Sequence, residues 1–274
     1  MNVALGFLVT AAATAVTVTA MLLVRRRAPE GSYFSDGDRA SGVFGVLATG
    51  FSVLLGFIIF LAFTSYDESR SGAETEALVV AQQIQTAQFF PASASEDLTG
   101  ELICYGRSVA YEEWERMEAG TQGDRINPWG IELFQTLRTV QPETASEQSA
   151  YDKWLEQTST REEARLDRIH GAEGVIPTPL WIVLFFISGV IFVYMLFFAD
   201  SGERAVTQGL LMGAVTSVIV TMLLLLSFLD SPFQTGVGGL QPVAMERTLG
   251  FADEALGAIG TDVRVPCNEE GSAR

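Results

Sequence analysis

The sequence predicts an all-α fold: a polytopic membrane protein with four transmembrane helices and a helical soluble insert between helices two and three. Four stretches lack charged side chains, and each exceeds the roughly 20 apolar residues that cross a bilayer core of about 30 Å. The segment between the second and third stretches shows apolar residues at helical spacing, without the alternation typical of strands. Together these observations exclude a plain soluble protein and a β-sheet fold.

The predicted membrane helices span residues 3–24, 41–66, 177–199 and 205–229. The first is not expected to be a cleaved signal peptide. No basic residue precedes it, and Arg25–Arg27 follow it directly, where a cleavage site would need small residues. The first helix is therefore interpreted as a reversed anchor, with the amino terminus outside the cell.

Arginines in the two short connecting segments predict the orientation of the chain. Residues 25–40 contain four arginines, and the turn 200–204 adds Arg204. Short loops rich in positive charge face the cytoplasm, whereas long loops translocate largely regardless of charge. We therefore expect a multi-pass protein of the cell membrane whose amino and carboxy termini are both extracytoplasmic.

This topology divides the chain into four parts. Residues 1–66 hold the first two membrane helices, and 67–176 form an extracytoplasmic acidic helical domain. Residues 177–230 hold the third and fourth helices, and 231–274 form an extracytoplasmic tail. The second helix is expected to continue into the soluble domain, because no proline interrupts it before Pro91.

Three further helices are predicted in the insert. The first is expected to start at Ser95, and four apolar residues share one of its faces: Leu98, Leu102, Tyr105 and Val109. The other two are predicted over residues 129–140 and 144–170. In the last helix, Glu162 and Arg165 have the spacing of a helical ion pair.

The soluble insert is strongly acidic. Between Asp67 and Glu173 the chain has 21 carboxylates and nine basic residues, a net charge of −12. A solvated surface that keeps an exposed domain soluble explains this charge, and a cation-concentrating vestibule at the mouth of a pore is the functional alternative. Nucleic acid is not expected as a partner, because no basic patch is present to meet its phosphates.

Residue types that support catalysis are sparse. His170 is the only histidine and precedes a glycine at a helix end, which is typical of a surface or capping residue. One histidine and two distant cysteines do not match a zinc spacing, and no G-x-x-x-x-G-K phosphate loop occurs. The pairs Glu112–Glu113 and Glu162–Glu163 lie on charged helices and are expected to be solvated. We predict no enzyme, catalytic residue, metal site or cofactor.

The chain contains only two cysteines, Cys104 in the insert and Cys267 in the tail. An even number of membrane crossings separates them, so both lie on one side of the membrane. If that side is the oxidising one, they can form a disulfide that ties the tail to the soluble domain. Two unrelated buried thiols are the alternative, since pairing cannot be proved from sequence.

The second membrane helix carries two neighbouring stripes at about 100° per residue. One stripe consists of small residues: Gly45, Thr49, Ser52 and Gly56. Small residues let two membrane helices approach closely. The adjacent face is larger and partly aromatic: Val46, Thr49, Val53, Phe57, Phe60 and Thr64. The first stripe suits a neighbouring helix and the second suits a central axis, while Leu55 is expected to face lipid.

The fourth membrane helix repeats only the small stripe. Its small residues recur at four-residue spacing: Ala205, Gly209, Gly213, Ser217 and Thr221. Gly209 and Gly213 form the small-x-x-x-small motif of packed membrane helices. Helix packing alone explains this pattern.

Several short motifs resemble those of bestrophins. FSVLLGFIIFLAFTSYDESR, residues 51–70, resembles the bestrophin neck helix, which reads close to F-V-L-G-F. LDSPF after the fourth helix resembles their N-P-F, and VIPTPLWIV at the third is similar to their I-P-L. The bacterial bestrophin-like domain family shows a Y-D-x-x-R…E-A stretch after the second helix, and five residues fit it: Tyr66, Asp67, Arg70, Glu76 and Ala77. The resemblance covers most of residues 41–240.

The resemblance implies a homo-oligomeric ion channel in the lipid bilayer, pentameric in bestrophins, that conducts small inorganic ions, here small anions. It also implies a hydrophobic neck on one face of the second helix. Matching on the shared L-G-F places neck positions at Thr49, Val53 and Phe57, and helix geometry adds Phe60 to the same pore-lining face. Apolar residues would line the neck and gate it by dewetting. Small residues would pack neighbouring helices: Gly45, Ser52 and Gly56.

Three departures from the bestrophin pattern limit what the resemblance implies. No carboxylate occurs between Phe233 and Glu246, so the calcium clasp of bestrophins is not expected. The tryptophan pair after their neck is absent, and Thr49 is polar rather than bulky. Bestrophins keep their soluble helices in the cytoplasm, whereas the arginines here place them outside. The alternative function is that of a non-conducting membrane protein whose extracytoplasmic helical domain mediates partner binding or assembly.

Overall fold

The computed structural model describes residues 3–120, 126–259 and 263–274. Its helical elements, in chain order, are α1 (Val3–Arg25), α2 (Gly37–Ala87), α3 (Ala92–Arg107), a π-helical turn (Ser108–Glu113), α4 (Trp114–Glu118), α5 (Pro128–Leu137), α6 (Ala145–His170), α7 (Thr178–Phe197), α8 (Ala205–Leu229) and α9 (Val243–Ile259). Within the described residues, β-type pairing is limited to one bridge between Cys267 and Ala273. The predicted all-α fold is confirmed.

Two compact units make up the chain. The membrane unit comprises Met1–Thr64, Val175–Asp230 and Thr235–Val237, and the helical unit comprises Ser65–Gly174, Ser231–Gln234 and Gly238–Arg274. Among the described helices, α1, α2, α7 and α8 are long and apolar enough to cross a membrane. The four predicted spans are therefore confirmed as helices, and α2 continues far beyond its span, as its sequence predicts.

Hydroxyl groups join α1 to α8 inside the membrane unit. Thr14 Oγ1 lies 3.0 Å from Ser217 Oγ, and Thr17 Oγ1 lies 2.9 Å from Thr216 Oγ1. Water is absent from the bilayer core, so such hydroxyls must find partners within the protein. The pairs fix the register of the two helices at adjacent turns.

The two short segments at one end of the membrane unit are also joined. The Arg25 guanidinium donates to the carbonyl oxygens of Ser201 and Glu203. The Asp200 carboxylate accepts a 3.1 Å hydrogen bond from the amide of Gly31. The arginine-rich segment after α1 and the turn before α8 therefore form one connected surface, as the sequence-based topology requires of two loops on one side.

The buried face of α2 in the membrane unit differs from the sequence-based expectation at one residue. Phe51, Leu55, Ile58 and Ala62 are all buried, and their spacing places them on one side of the helix. Leu55, expected to face lipid, is only 5% exposed. That expectation is wrong, because Leu55 belongs to the face that packs on the other membrane helices.

The helical unit is built around α3, α5 and α6. Helix α3 starts at Ala92 rather than at Ser95, directly after Pro91. Its predicted apolar face is fully buried: Leu98, Leu102, Tyr105 and Val109. Helix α6 begins with a capping box, in which the Thr144 and Glu147 side chains each bond the other residue's backbone amide. This box explains why the helix starts where the sequence predicts.

The segment after α8 contributes to the helical unit through a helix that the sequence analysis did not predict. Met245 and Leu249 of α9 are buried in the same core as α3. The predicted disulfide is present: Cys104 of α3 bonds Cys267, with a Cα–Cα distance of 5.7 Å. Beyond it, the Gly271 carbonyl accepts a 2.6 Å hydrogen bond from Trp129 Nε1. The tail is thus held by a helix, a covalent bond and a buried hydrogen bond.

Candidate functional site

The predicted pore-lining residues share one exposed face of α2. Val53, Phe57 and Phe60 are 68%, 60% and 62% exposed, and Thr49 is also exposed. This face lies opposite the buried face of α2. The described residues therefore leave the large apolar side chains of this one face of α2 uncovered.

The small stripe of α2 is equally uncovered. Gly45, Ser52 and Gly56 are exposed. A Cβ added to Gly45 or Gly56 would meet nothing within 4 Å outside its own helix backbone. Ser52 Oγ is satisfied locally, donating to the Ala48 carbonyl at 2.8 Å. Among the described residues, no other helix makes the close approach that Gly45 and Gly56 permit.

The small stripe of α8 lies against α1. A Cβ on Gly213 would lie 3.4 Å from Thr14 Cγ2, and one on Gly209 would lie 3.5 Å from Val18 Cγ1. A Cβ at either position would thus make an ordinary van der Waals contact with α1, so the separation of these two helices does not require glycine. The two small stripes therefore differ: that of α8 faces a helix of the same chain, and that of α2 faces away from it.

An apolar groove runs beside the small stripe of α2. It has a volume of about 480 Å³, and its lining includes Ser52, Leu55 and Gly56 of α2 with Val218 and Met222 of α8. It adds an apolar recess to the uncovered side of α2.

A second notable feature lies in the helical unit, where α2 and α6 share a buried ionic network. Arg168 of α6 and Glu76 of α2 are both fully buried. Arg168 Nε donates to Glu76 Oε2 at 2.5 Å, and Arg168 Nη2 donates to Glu76 Oε1 at 3.2 Å. Tyr105 Oη donates to the same Oε1 at 2.6 Å. This two-pronged geometry is the strong form of an arginine–carboxylate pair.

Glu113, at the end of the π-helical turn, completes the network. Its Oε2 accepts from Arg168 Nη2 at 2.7 Å, and its Oε1 accepts from Arg165 Nη2 at 2.9 Å. The Asn127 amide also donates to Glu113 Oε1 at 2.9 Å. Two buried carboxylates therefore face two buried guanidinium groups. Their charges balance.

The pKa values in this network follow from burial and pairing. Burial alone would raise the pKa of Glu113, but Arg168 and then Arg165 outweigh it and hold that pKa below its usual value. Burial alone would lower the pKa of Arg168, yet Glu76 and then Glu113 raise it above its usual value. Burial, followed by the charge of Glu76, raises the pKa of Tyr105 well above normal. Glu113 and Arg168 therefore stay ionised at neutral pH.

Close backbone contact brings α2 and α6 together beside the ionic network. A Cβ on Gly72 would lie 2.6 Å from the Ala164 carbonyl oxygen and 2.6 Å from the Arg168 amide nitrogen. One turn earlier, Ser69 Oγ donates to the Asp167 carbonyl at 3.3 Å. Only glycine fits at position 72 while the helices keep this separation.

Two sequence-based expectations are corrected by the ionic network. Glu113, expected to be solvated beside Glu112, is 3% exposed and ion-paired. The π-helical turn that ends at Glu113 changes the phase of the helix and directs this carboxylate inward. Arg165 pairs with Glu113 rather than in the expected pair with Glu162, which instead pairs with Arg161.

Comparison with known proteins identifies the family. The model of the bestrophin-like domain matches residues 11–245. The chain belongs to the bestrophin-like domain family. No curated protein matches it.

Solved structures share the fold of this bestrophin-like chain. A crystal structure of a bacterial bestrophin homologue from Klebsiella pneumoniae matches 94% of this chain and 99% of its own, with a TM-score of 0.67 and 13% identity. A mutant of a bestrophin homologue from the same organism matches over 89% and 98%, with a TM-score of 0.67 and 13% identity. A membrane protein variant matches over 92% and 98%, with a TM-score of 0.66 and 12% identity. At this identity the likeness is one of fold.

The motifs that resemble bestrophins have structural roles here. In LDSPF, Asp230 Oδ1 accepts hydrogen bonds from the amides of Val175 and Ile176 at 2.8 and 2.9 Å, joining the segment before α7 to the end of α8. Phe233 is buried against Trp114, with ring centroids 5.3 Å apart. In the bestrophin-like Y-D-x-x-R…E-A stretch, Glu76 is the residue that carries the buried ion pair. Among the described residues, no group of three or more His, Cys, Asp or Glu is arranged to hold a metal ion.

Proposed function

We propose that this bestrophin-like protein assembles into a homo-oligomeric membrane ion channel whose hydrophobic neck is lined by Thr49, Val53, Phe57 and Phe60 of α2. The supporting observation is the uncovered small stripe of α2. Glycine gains nothing from lipid, but it permits close packing of helices in a bilayer. Because no described residue outside α2 lies within 4 Å of a Cβ placed on Gly45 or Gly56, we assign the helix that packs on them to another copy.

A ring of identical copies would give each exposed face of α2 a defined position. The residues proposed to line the neck form what we call the pore face. At about 100° per residue, this face lies between two flanks of α2: the small stripe on one side, and the exposed Val43 and Leu61 on the other. Each copy then offers its small flank to the larger flank of the next copy. Such a head-to-tail interface closes into a ring when its rotation permits, and the resemblance gives five copies. The pore face is then directed at the central axis.

Uncharged side chains line the proposed neck, so the neck would block ions by excluding water from the pore. A narrow ring of Val53, Phe57 and Phe60 excludes water, and an ion crosses only when the ring widens or wets. The resemblance assigns small anions to this pathway. The carboxylates of Asp67, Glu68 and Glu74 follow on α2 and would instead favour cations.

Ion class and conduction are tested together on purified protein in planar bilayers. A current with a reversal potential near the chloride equilibrium potential in a salt gradient supports the anion channel. A reversal potential near that of the cation keeps the channel and assigns its selectivity to the carboxylates after the neck. Absence of current from a stable oligomer would favour the alternative, a non-conducting protein whose helical domain binds a partner.

The orientation that we propose places the helical unit and both termini outside the cytoplasm. Arg25 joins the arginine-rich segment after α1 to the turn before α8. Both segments would face the cytoplasm. The disulfide within the helical unit supports this side, because disulfides persist in oxidising compartments.

Phe57→Ala and Val53→Ala are expected to widen the neck and raise the ionic current, because each removes apolar bulk from the dewetted ring. Single-channel recording checks this. Phe186→Ala is the matched control, since Phe186 is exposed on α7 rather than on α2. Equal increases from the Phe57 and Phe186 variants would contradict the assignment of the pore face.

Gly56→Leu is expected to break the oligomer in detergent, because a branched side chain would separate backbones that touch. Light scattering coupled to gel filtration would show the particle mass fall to that of a smaller assembly. Gly189→Leu is the control: Gly189 of α7 likewise has nothing within 4 Å, but lies outside the proposed interface. An unchanged mass for the Gly56 variant would remove the small stripe from the interface.

A further inference from the structure

In the helical unit, α2 also carries a row of residues that contact α6. A polar seam at helical spacing joins it to α6: Ser69, Gly72, Glu76 and Gln83. At the far end of the seam, Gln83 accepts from Arg161 Nη1 at 2.9 Å and donates to Thr158 Oγ1 at 3.1 Å. The seam therefore holds α2 to α6 over about four turns.

The ionic centre of this seam is specific to one register of the two helices. The Glu76 carboxylate accepts hydrogen bonds from Arg168 Nε, Arg168 Nη2 and the Tyr105 hydroxyl. A slide of one turn, about 5.4 Å, or a rotation by one residue would separate the Glu76 carboxylate from the Arg168 guanidinium and the Tyr105 hydroxyl. Buried ion pairs add little net stability relative to apolar packing, and their best-attested use is to fix register.

We propose that Glu76 and Arg168 are positioning residues for the pore helix: they fix the rotation and register of α2 on α6. The inference rests on the proposed function, since residues 49–60 of the neck belong to the same helix. If α2 is held at Glu76, its pore face keeps one angle to the central axis of the proposed ring. Releasing it allows α2 to turn or tilt, which changes how the neck side chains meet.

The chain offers a matched pair of substitutions. Glu76→Gln and Glu113→Gln each neutralise one carboxylate that bonds Arg168. Only Glu76 belongs to α2, whereas Glu113 ends the π-helical turn. A purely structural role for the network predicts similar losses of stability and no difference in gating between the two variants. A positioning role predicts that only Glu76→Gln changes gating.

The experiment combines single-channel recording with a distance measurement that does not depend on conduction. Spin labels at Leu78→Cys of α2 and Leu166→Cys of α6, both exposed leucines, report the separation of the two helices by pulsed electron resonance. Both native cysteines are in the disulfide, so the labels react only at the introduced thiols. Labelled copies are diluted with unlabelled ones to isolate distances within one chain.

For Glu76→Gln we expect an open probability changed about fivefold or more, the effect of roughly 1 kcal/mol on a two-state equilibrium, and a broadened distance distribution. Glu113→Gln should change neither. If Glu76→Gln does not fold, Tyr105→Phe removes one hydrogen bond to Glu76 and should shift both readouts in the same direction by less.

Three outcomes would overturn the inference: unchanged distances in Glu76→Gln, equal changes in both variants, or an altered distance with an unaltered open probability. A wild-type protein that carries no current defeats the proposed channel instead. In that case the distance distributions alone decide whether Glu76 positions α2.

Discussion

Arg168→Met is expected to lower the free energy of unfolding of the helical unit by about 3–5 kcal/mol, the cost of breaking a buried ion pair by removing one partner. Arg168 is fully buried and bonds both Glu76 and Glu113. Methionine fills much of the volume but leaves two carboxylates close together in the core with fewer cations. The loss is therefore electrostatic rather than a cavity effect.

Thermal unfolding followed by circular dichroism, with pH as a second variable, checks this prediction. The pKa of Glu113 lies below its usual value of 4.5 in the folded protein. Its ion pairs therefore stabilise the wild type above about pH 4.5, and this stability is lost as the pH falls through the depressed pKa. Arg168→Met should flatten that acid dependence. Arg70→Met, at an exposed pair with Glu74, is the control and should leave the unfolding temperature unchanged.

The membrane helices were predictable because their signal is local. A charge-free run of sufficient length has one stable solution in a bilayer, which is a helix. The exposed face of α2 that we propose to line the pore followed from the same periodicity, since 100° per residue places Val53, Phe57 and Phe60 together. Leu55 was assigned to the wrong face because periodicity separates faces without stating which of them meets the rest of the chain.

The ionic network could not be assembled from the sequence, because its partners are 92 residues apart in the case of Glu76 and Arg168. One signal was present: Arg161, Arg165 and Arg168 share a face of α6 within a strongly acidic domain. Three cations on one side of a helix require partners once that side is buried. The sequence contains no recognisable signal for the π-helical turn that directs Glu113 inward. Without that turn, the sequence predicts that Glu113 is a surface carboxylate.

Helix α9 was missed for a related reason. Its buried residues Met245 and Leu249 have helical spacing, but the sequence analysis treated the segment only as part of the tail after the fourth membrane helix. Packing against α3 stabilises it, and such tertiary stabilisation routinely overrides weak local propensity. Topology placed Cys104 and Cys267 on the same side of the membrane, because an even number of crossings separates them, but it left open whether they pair; the structure shows that they do.

Loss of the disulfide is the second large effect that we expect. Cys104 and Cys267 are 163 residues apart, and the chain-entropy model gives about 5 kcal/mol for closing so long a loop, an upper figure because the unfolded state retains structure. Cys267→Ser should therefore lower the unfolding temperature and release the segment around Gly271 from Trp129. Protease accessibility of the carboxy-terminal segment would report that release, and the same variant of Cys104 should match it.

The same bond tests the proposed orientation of the chain. If the arginine-rich short segments face the cytoplasm, both cysteines lie on the oxidising side and the bond forms in living cells. Intact cells are quenched in acid, and the protein is run on a non-reducing gel after reaction with a maleimide mass tag. An untagged, faster-migrating band that becomes doubly tagged after reduction supports both the disulfide and the extracytoplasmic helical unit. Two thiols tagged without any reductant would place the helical unit in the cytoplasm, as in bestrophins, and the positioning of its tail would then rest on α9 and the Trp129 hydrogen bond.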